Sequence, residues 1–256
     1  MDQYFSKTLE KGLTLLNLFD QDQTRLSIPE MSKSTDINKA SIYRLTNTLV
    51  KMGYLKKISG NKLLKLGPKS IVLGQKFIQG FELLQATQLL IDKTYAEHNI
   101  TIDSALLDGH TLISLYRREA SNTIYFRQPL TMEDLYARAM GKAVLAQMSQ
   151  GELDHFFENV PIVKLTPKTK GKKKDIIADL EKTRNRGYSV NEEEYMVGLI
   201  CIGAPLMNYQ TNTVVGAISF DFPISEQSLK TIERNYIGTL TKLASDISRT
   251  ITMTES

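Results

Sequence analysis

Lys39-Ala40-Ser41-Ile42-Tyr43-Arg44-Leu45-Thr46-Asn47-Thr48-Leu49-Val50-Lys51-Met52-Gly53 is the stretch on which the reading of this chain turns. Its spacing predicts a helix from about Lys39 to Met52, ended by Gly53 in the left-handed position that glycine tolerates. Ile42, Leu45 and Leu49 fall on one face. At roughly 100° per residue, the opposite face carries Ala40, Tyr43, Arg44, Asn47 and Lys51.

Working outward, Ile37 to Phe81 holds nine Lys or Arg residues and no Asp or Glu. A one-sign stretch laid over folded elements makes a surface suited to a phosphate backbone. Upstream, Ser27-Ile28-Pro29-Glu30 is a capping-box pattern with Pro in the first turn, which announces a short helix ending near Thr35-Asp36. Before that, Ser6 to Phe19 places Leu9, Leu13, Leu16 and Phe19 at helical spacing, with Ser6 as N-cap. Two helices joined by a tight turn, the second with a polar and basic face, form a helix-turn-helix. Downstream, Tyr54–Ile58 and Lys62–Leu66 flank Ser59-Gly60-Asn61, a hairpin signal, and Gly67-Pro68 closes it. A basic hairpin in that place is a wing, whose lysines meet phosphates rather than bases. Ile71, Val72, Phe77 and Ile78 then mark an amphipathic helix that connects two domains or pairs with its own copy.

The rest of the chain differs in charge. Residues 1–80 hold 13 basic and six acidic side chains, net +7, against 19 and 22 in residues 81–256, net −3. At 256 residues, two domains are expected. Helices are predicted over Leu83–Glu97, Ala137–Met148, Lys173–Arg186 and Ser228–Thr250. Strands are predicted over Thr101–Leu107 and Thr111–Arg117, joined through Asp108-Gly109-His110, and over Tyr125–Leu130, Leu199–Met207 and Thr213–Phe222. Hairpins mixed with helices indicate an α+β sheet domain.

Several chemistries find no support. His98, His110 and His155 show no ligand spacing with Cys201 or with one another, so no metal site is expected. Walker and Rossmann loops are absent, and no cofactor or catalytic residue is expected. Cys201 is the single cysteine, which fits a reducing compartment. No signal peptide is evident. The longest apolar-rich run, Val197–Met207, is too short to span a bilayer, so a soluble cytoplasmic protein is expected and no membrane partner. Lys168, Lys170, Lys172, Lys173 and Lys174 read as a solvated loop leading into a helix, and Glu192–Glu194 as equally solvated.

The order of three helices, wing and linker helix resembles the IclR family of bacterial transcriptional regulators. The residues that carry the likeness are Lys39–Leu45, Leu49-Val50-Lys51-Met52-Gly53-Tyr54-Leu55 and Leu66-Gly67-Pro68. The resemblance continues through the second domain. It implies a winged helix-turn-helix at 1–68, a linker helix at 69–82 and a GAF-like mixed sheet domain with flanking helices at 83–256. DNA contacts would fall on Lys39, Ala40, Ser41, Tyr43, Arg44, Asn47, Lys56, Lys57 and Lys62. The partner would be a double-stranded operator, an inverted repeat read by a homodimer or homotetramer.

The resemblance further implies that the second domain binds a small-molecule effector, an organic or aromatic acid. Ala139-Met140-Gly141-Lys142-Ala143 resembles the helix entrance that faces the ligand. Gly187–Glu194 resembles the stretch that carries Asn191. Gly198–Pro205 resembles the strand that points Cys201 inward, and Ala217–Asp221 the last strand, with Ser219 and Asp221 on one face. Effector contacts would thus be Arg138, Met140, Gly141, Asn191, Cys201, Ser219 and Asp221. Four positions depart from the family's habit. Asn191 replaces a frequent Asp, Asp221 a small hydroxyl residue, Arg138 a Thr or Ser, and Tyr136 a His. Arg138 could clamp a carboxylate or pair with Asp221. Two other readings stay open: an enzyme using Cys201 with an accessory DNA module, and a ligand-independent architectural DNA binder.

Overall fold

The computed structural model describes residues 4–20, 22–80, 82–121 and 129–254. The chain divides into two compact units, residues 1–81 and 82–256.

In the first unit, α1 (Lys7–Asn17) is capped by Ser6, whose hydroxyl accepts from the Leu9 amide. The apolar face is the expected one only at Leu16 and Phe19. Gly12, Leu15 and Phe19 are buried and Leu16 partly so, while Leu9 and Leu13 stand exposed. Four leucines in eleven residues offer two overlapping stripes, and the packing chose the one that meets the neighbouring helix and sheet. A short strand β1 (Leu26–Ser27) leads into α2 (Ile28–Lys33), where the Ser27–Glu30 capping box is closed in both directions. This helix stops two residues before Thr35, whose hydroxyl turns back to donate to the Met31 carbonyl. The recognition-type helix α3 runs Lys39–Met52, with Asn38 as N-cap and Gly53 left-handed at φ 85°.

The wing comprises β2 (Leu55–Lys57) and β3 (Leu63–Leu66), and β1 completes a sheet of order β1-β3-β2. Its turn uses Gly60 at φ 82°. The wing folds back on the helix end. The Gly67 amide donates to the Tyr54 carbonyl at 2.7 Å, and a Cβ at Gly67 would overlap the Gly53 carbonyl. Leu15, Phe19, Leu26, Met31, Ile37, Ile42, Leu55 and Leu64 form one core. α4 follows at Lys69–Gly80.

The second unit begins with α5 (Glu82–His98), then β4 (Thr101–Asp108) and β5 (Thr111–Arg118), paired through the Asp108-Gly109-His110 turn. Residues 122–128 lie outside the described residues, and with them most of the strand read over 125–130. After β6 (Thr131–Met132) come a 3₁₀ turn (Leu135–Ala137), α6 (Ala139–Leu145) and α7 (Gln150–Asn159). The single helix expected over 137–148 is therefore shorter and has a successor. α7 begins with a second capping box, Ser149 with Glu152. Then follow α8 (Lys173–Arg186), ended by Gly187, β7 (Ser189–Glu192), β8 (Leu199–Asn208), β9 (Thr213–Pro223) and α9 (Leu229–Thr254).

The sheet order is β6-β5-β4-β9-β8-β7, and every pairing among the described residues is antiparallel, so the mixture is of helices with strands and not of strand directions. α9 packs on β8 and β9 and against α5, while α6 packs on β8, β9 and β7. Gly203 is where α6 comes closest: a Cβ there would crowd the Ala139 carbonyl and the Ser189 hydroxyl. No helix among the described residues is long and apolar enough to cross a membrane.

Candidate functional site

Two surfaces of this chain carry candidate chemistry, one on each unit. On the first, Lys39, Ala40, Tyr43, Arg44 and Lys51 of α3 are exposed, and Ser41 and Asn47 half-buried. Ile42 and Thr46 are sealed below them, Thr46 donating back to the Ile42 carbonyl at 2.8 Å. On the wing, Lys56, Lys57, Lys62 and Lys65 are all exposed. Lys56 stands directly opposite Lys65 across β2 and β3. Like charges in that relation repel, so the wing is built at a small cost that a bound polyanion would remove.

The second surface is a cavity at one end of the six-stranded sheet. Its floor is a row of register partners: Asn191 on β7 opposite Cys201 on β8, and Cys201 opposite Asp221 on β9. One step along, Gly203 faces Ser219, and Ser219 faces Asp103 on β4. Residues that pair directly share a face of the sheet. Arg138, Ala139 and Met140 cover the floor, with Tyr195 and Leu199 beside them. Six of the seven expected effector residues line this cavity: Arg138, Met140, Asn191, Cys201, Ser219 and Asp221. Gly141 is not among the lining residues. Its lack of a side chain serves packing, since a Cβ there would overlap the backbone of Leu135. Tyr136 also points elsewhere, donating to the Val163 carbonyl at 2.9 Å.

Of the two expectations for Arg138, the pair with Asp221 is not the one seen. Its Nε donates to Asp134 at 2.5 Å and its guanidinium lies over the Tyr195 ring, 3.6 Å from the centroid. Asp221 instead meets Arg117, at 3.5 Å, and accepts from the Ser219 hydroxyl at 3.1 Å. Arg117 also pairs with Asp103, its cross-strand partner. The open volume is about 30 Å³, room for one or two water-sized groups.

Asn191 is spoken for on both sides of its amide: it donates to the Ala137 carbonyl and accepts from the Glu194 backbone at 3.1 Å. Cys201 is buried, and that burial, reinforced by the Asp221 carboxylate, pushes its thiol well above the usual range. No histidine lines the cavity; His110 and His155 lie against each other, 4.9 Å between ring centres. A buried thiol that holds its proton is a poor nucleophile.

Behind the cavity lies a charge network the sequence reading missed. Lys142 of α6 is fully buried, with its Nζ 2.5 Å from Glu194, 2.8 Å from Asp179 and 3.0 Å from the Val190 carbonyl. Lys170 reaches the same Glu194 at 2.7 Å, Lys168 pairs with Glu193 at 2.5 Å, and Lys173 pairs with Asp154 at 2.8 Å. The hydroxyls of Thr166 and Thr169 donate to the carbonyls of Glu193 and Glu194. So Lys168, Lys172, Lys173 and Lys174 are exposed and lead into α8, as expected, while Lys170 with Lys142 and Glu194 forms a buried clamp, joined by Lys168 and Glu193, on the turn between Asn191 and Tyr195. Burial lowers the Lys142 ammonium against the pull of its two carboxylates. Asp179, which burial alone would raise, ends below its ordinary value because Lys142 and Lys170 outweigh it.

Comparison with known proteins gives one answer along the chain. The family described as "IclR helix-turn-helix domain" matches residues 8–59, and that described as "Bacterial transcriptional regulator IclR C-terminal" matches residues 75–249. Among curated relatives, the HTH-type transcriptional regulator XynR of Escherichia coli is 25% identical over 83% of this chain and 84% of its own. Among solved structures, an IclR transcriptional regulator from Silicibacter sp. TM1040 shares the fold at a TM-score of 0.85, with 22% identity over 96% of each chain. An IclR homolog from Microbacterium hydrocarbonoxydans, solved as a complex with 4-hydroxybenzoate, shares it at 0.80, with 16% identity over 95% of this chain and 98% of that one. The chain therefore belongs to the IclR family of bacterial transcriptional regulators, with a helix-turn-helix unit for DNA and an effector-binding C-terminal domain.

Proposed function

We propose that α3 enters the major groove of an operator and that the wing grips its backbone. Arg44, Tyr43, Asn47 and Ser41 would reach base edges or nearby phosphates, with Ala40 allowing close approach. Lys39, Lys56, Lys57 and Lys62 would bind phosphates, adding affinity and salt dependence without sequence information. The observation that carries this reading is the exposed polar face of α3 beside a wing whose lysines Lys56 and Lys65 oppose each other. Leu9, Leu13, Ile71, Val72, Leu73 and Phe77 leave an apolar surface exposed on α1 and α4, which favours a homodimer on an inverted repeat, or a tetramer of such dimers. A DNA-bound role belongs in the cytoplasm.

The effector is a small organic acid, aromatic or aliphatic, whose carboxylate meets Arg138. Supporting this, Arg138 is the cation in the cavity lining, and only its Nε is engaged by hydrogen bonding among the described residues. A planar guanidinium suits a carboxylate. The relative that carries 4-hydroxybenzoate points the same way. Effector binding would shift the balance between two arrangements of the paired reading heads, by no more than its differential affinity for them. Band-shift titration of the full chain on fragments of its own upstream region tests the DNA reading. The expected result is one fragment bound far more tightly than unrelated DNA, with affinity falling steeply as salt rises. Equal, weak binding to all fragments at low salt would end it.

A further inference from the structure

We infer that the effector has two polar ends: a carboxylate for Arg138, and at the other end a hydroxyl or ammonium group that donates to Asp221. The inference rests on the acid reading above and sharpens it. Arg138 and Asp221 line the same small cavity, one bringing a cation to it and the other a carboxylate. Between them stand Cys201, in register with Asp221, and a floor of strands spaced roughly 4.8 Å apart.

Three carboxylates share one guanidinium around Asp221. Among the described residues Asp221 accepts from the Ser219 hydroxyl, has the Cys201 thiol and the Asp103 carboxyl beside it, and shares Arg117 with Asp103 and Glu119. Asp103 is almost wholly buried, and its Oδ1 takes no hydrogen bond among the described residues. Burial first, and then Asp221 as neighbour, raises its carboxyl well above the ordinary value. Cys201 can add only the weak donor of a thiol. A ligand that brings its own O–H or N–H to Asp221 completes this corner. A bare hydrocarbon end would strip water from a carboxylate and return nothing, and a second carboxylate would set two anions side by side.

Calorimetric titration of the full-length protein with matched acids tests this on two carbon frames. The probes are propionate, 3-hydroxypropionate, 3-aminopropionate and malonate, then benzoate, 4-hydroxybenzoate and terephthalate. In at least one frame a donor-bearing acid should bind about 10- to 100-fold more tightly than its parent, and the dicarboxylate more weakly than the parent. Asp221→Ser should erase that preference. The ranking on the unaltered protein needs no variant, so a misfolded substitution would not obscure it. Parents that equal their hydroxy or amino partners, or dicarboxylates that bind best, would overturn the two-ended ligand and leave the acid reading intact. Phenol or 1-propanol binding as tightly as the hydroxy acids, or no acid of either frame binding, would overturn the acid reading and this inference with it.

Discussion

Two lysine-rich regions of this molecule put the same charge to opposite uses. Between residues 37 and 81 nine basic side chains meet no acidic residue in sequence, and on the wing two of them oppose each other. Between residues 142 and 173, Lys142, Lys168, Lys170 and Lys173 each find a carboxylate, and one lies wholly inside the protein. A run of lysines therefore has no fixed meaning. Its use depends on whether the fold brings carboxylates to it. Where none come, the charge is left for a partner; where they come, it is neutralised within the chain, and at Lys142 it is buried.

The largest expected effect breaks the second region. Lys142→Met should destabilise the protein by about 3 kcal/mol, because it leaves Asp179 and Glu194 to share Lys170 in a buried site. Urea unfolding followed by circular dichroism measures this, and a loss below about 1 kcal/mol would show that the clamp holds nothing together. The first region should behave in the opposite way. Arg44→Ala should cost about 1–3 kcal/mol of operator affinity if the guanidinium grips a guanine at two points, while unfolding stays within about 0.5 kcal/mol of the parent. A substitution that lowered stability instead would place Arg44 in structure, not recognition.

Smaller changes sharpen the contrast. Gly141→Ala should lose about 1–3 kcal/mol by forcing α6 off the Leu135 backbone, read by thermal unfolding. Replacing both Lys56 and Lys65 by Ala should raise stability by a few tenths of a kcal/mol and make the logarithmic salt dependence of DNA binding shallower by about 2. An unchanged salt slope would take the wing off the backbone. The smallest signal belongs to Cys201. Its raised thiol keeps the proton to higher pH than a free cysteine, so the thiolate fraction at pH 8 is reduced. Iodoacetamide at pH 8 should leave the folded protein unlabelled and modify it once in urea.

Legibility followed exposure and local signals. α3 was readable to the residue because Gly53 and the Ile42 stripe mark it, and α8 because Gly187 does. The capping box at Ser27 announced α2, and the same pattern at Ser149 was there to announce α7. α1 was found with its face half right, Leu16 and Phe19 packing inward and Leu9 and Leu13 outward, since its leucines allow two stripes. The cavity was partly legible through family resemblance, which led to Asn191, Cys201, Ser219 and Asp221. Tyr195, Asp103, Arg117 and the Lys142 clamp were not, because each acquires its role from a residue far away in the chain.

Arg117 shows where local reading ends. Counting back from the Asp108-Gly109-His110 turn, with Asp108 opposite Thr111, sets Asp103 against Tyr116. The irregularity at Ser104/Ala105 moves the register by one and sets it against Arg117. Periodicity, caps and turn residues, all interactions within a few positions, determined the helices, the hairpins, the basic surface and the division into two units. Which buried charges meet, which face of α1 is covered and what the cavity asks of a ligand depend on long-range pairing. Only the folded sheet decided those, because a one-residue shift in a strand costs little locally and exchanges every partner across it.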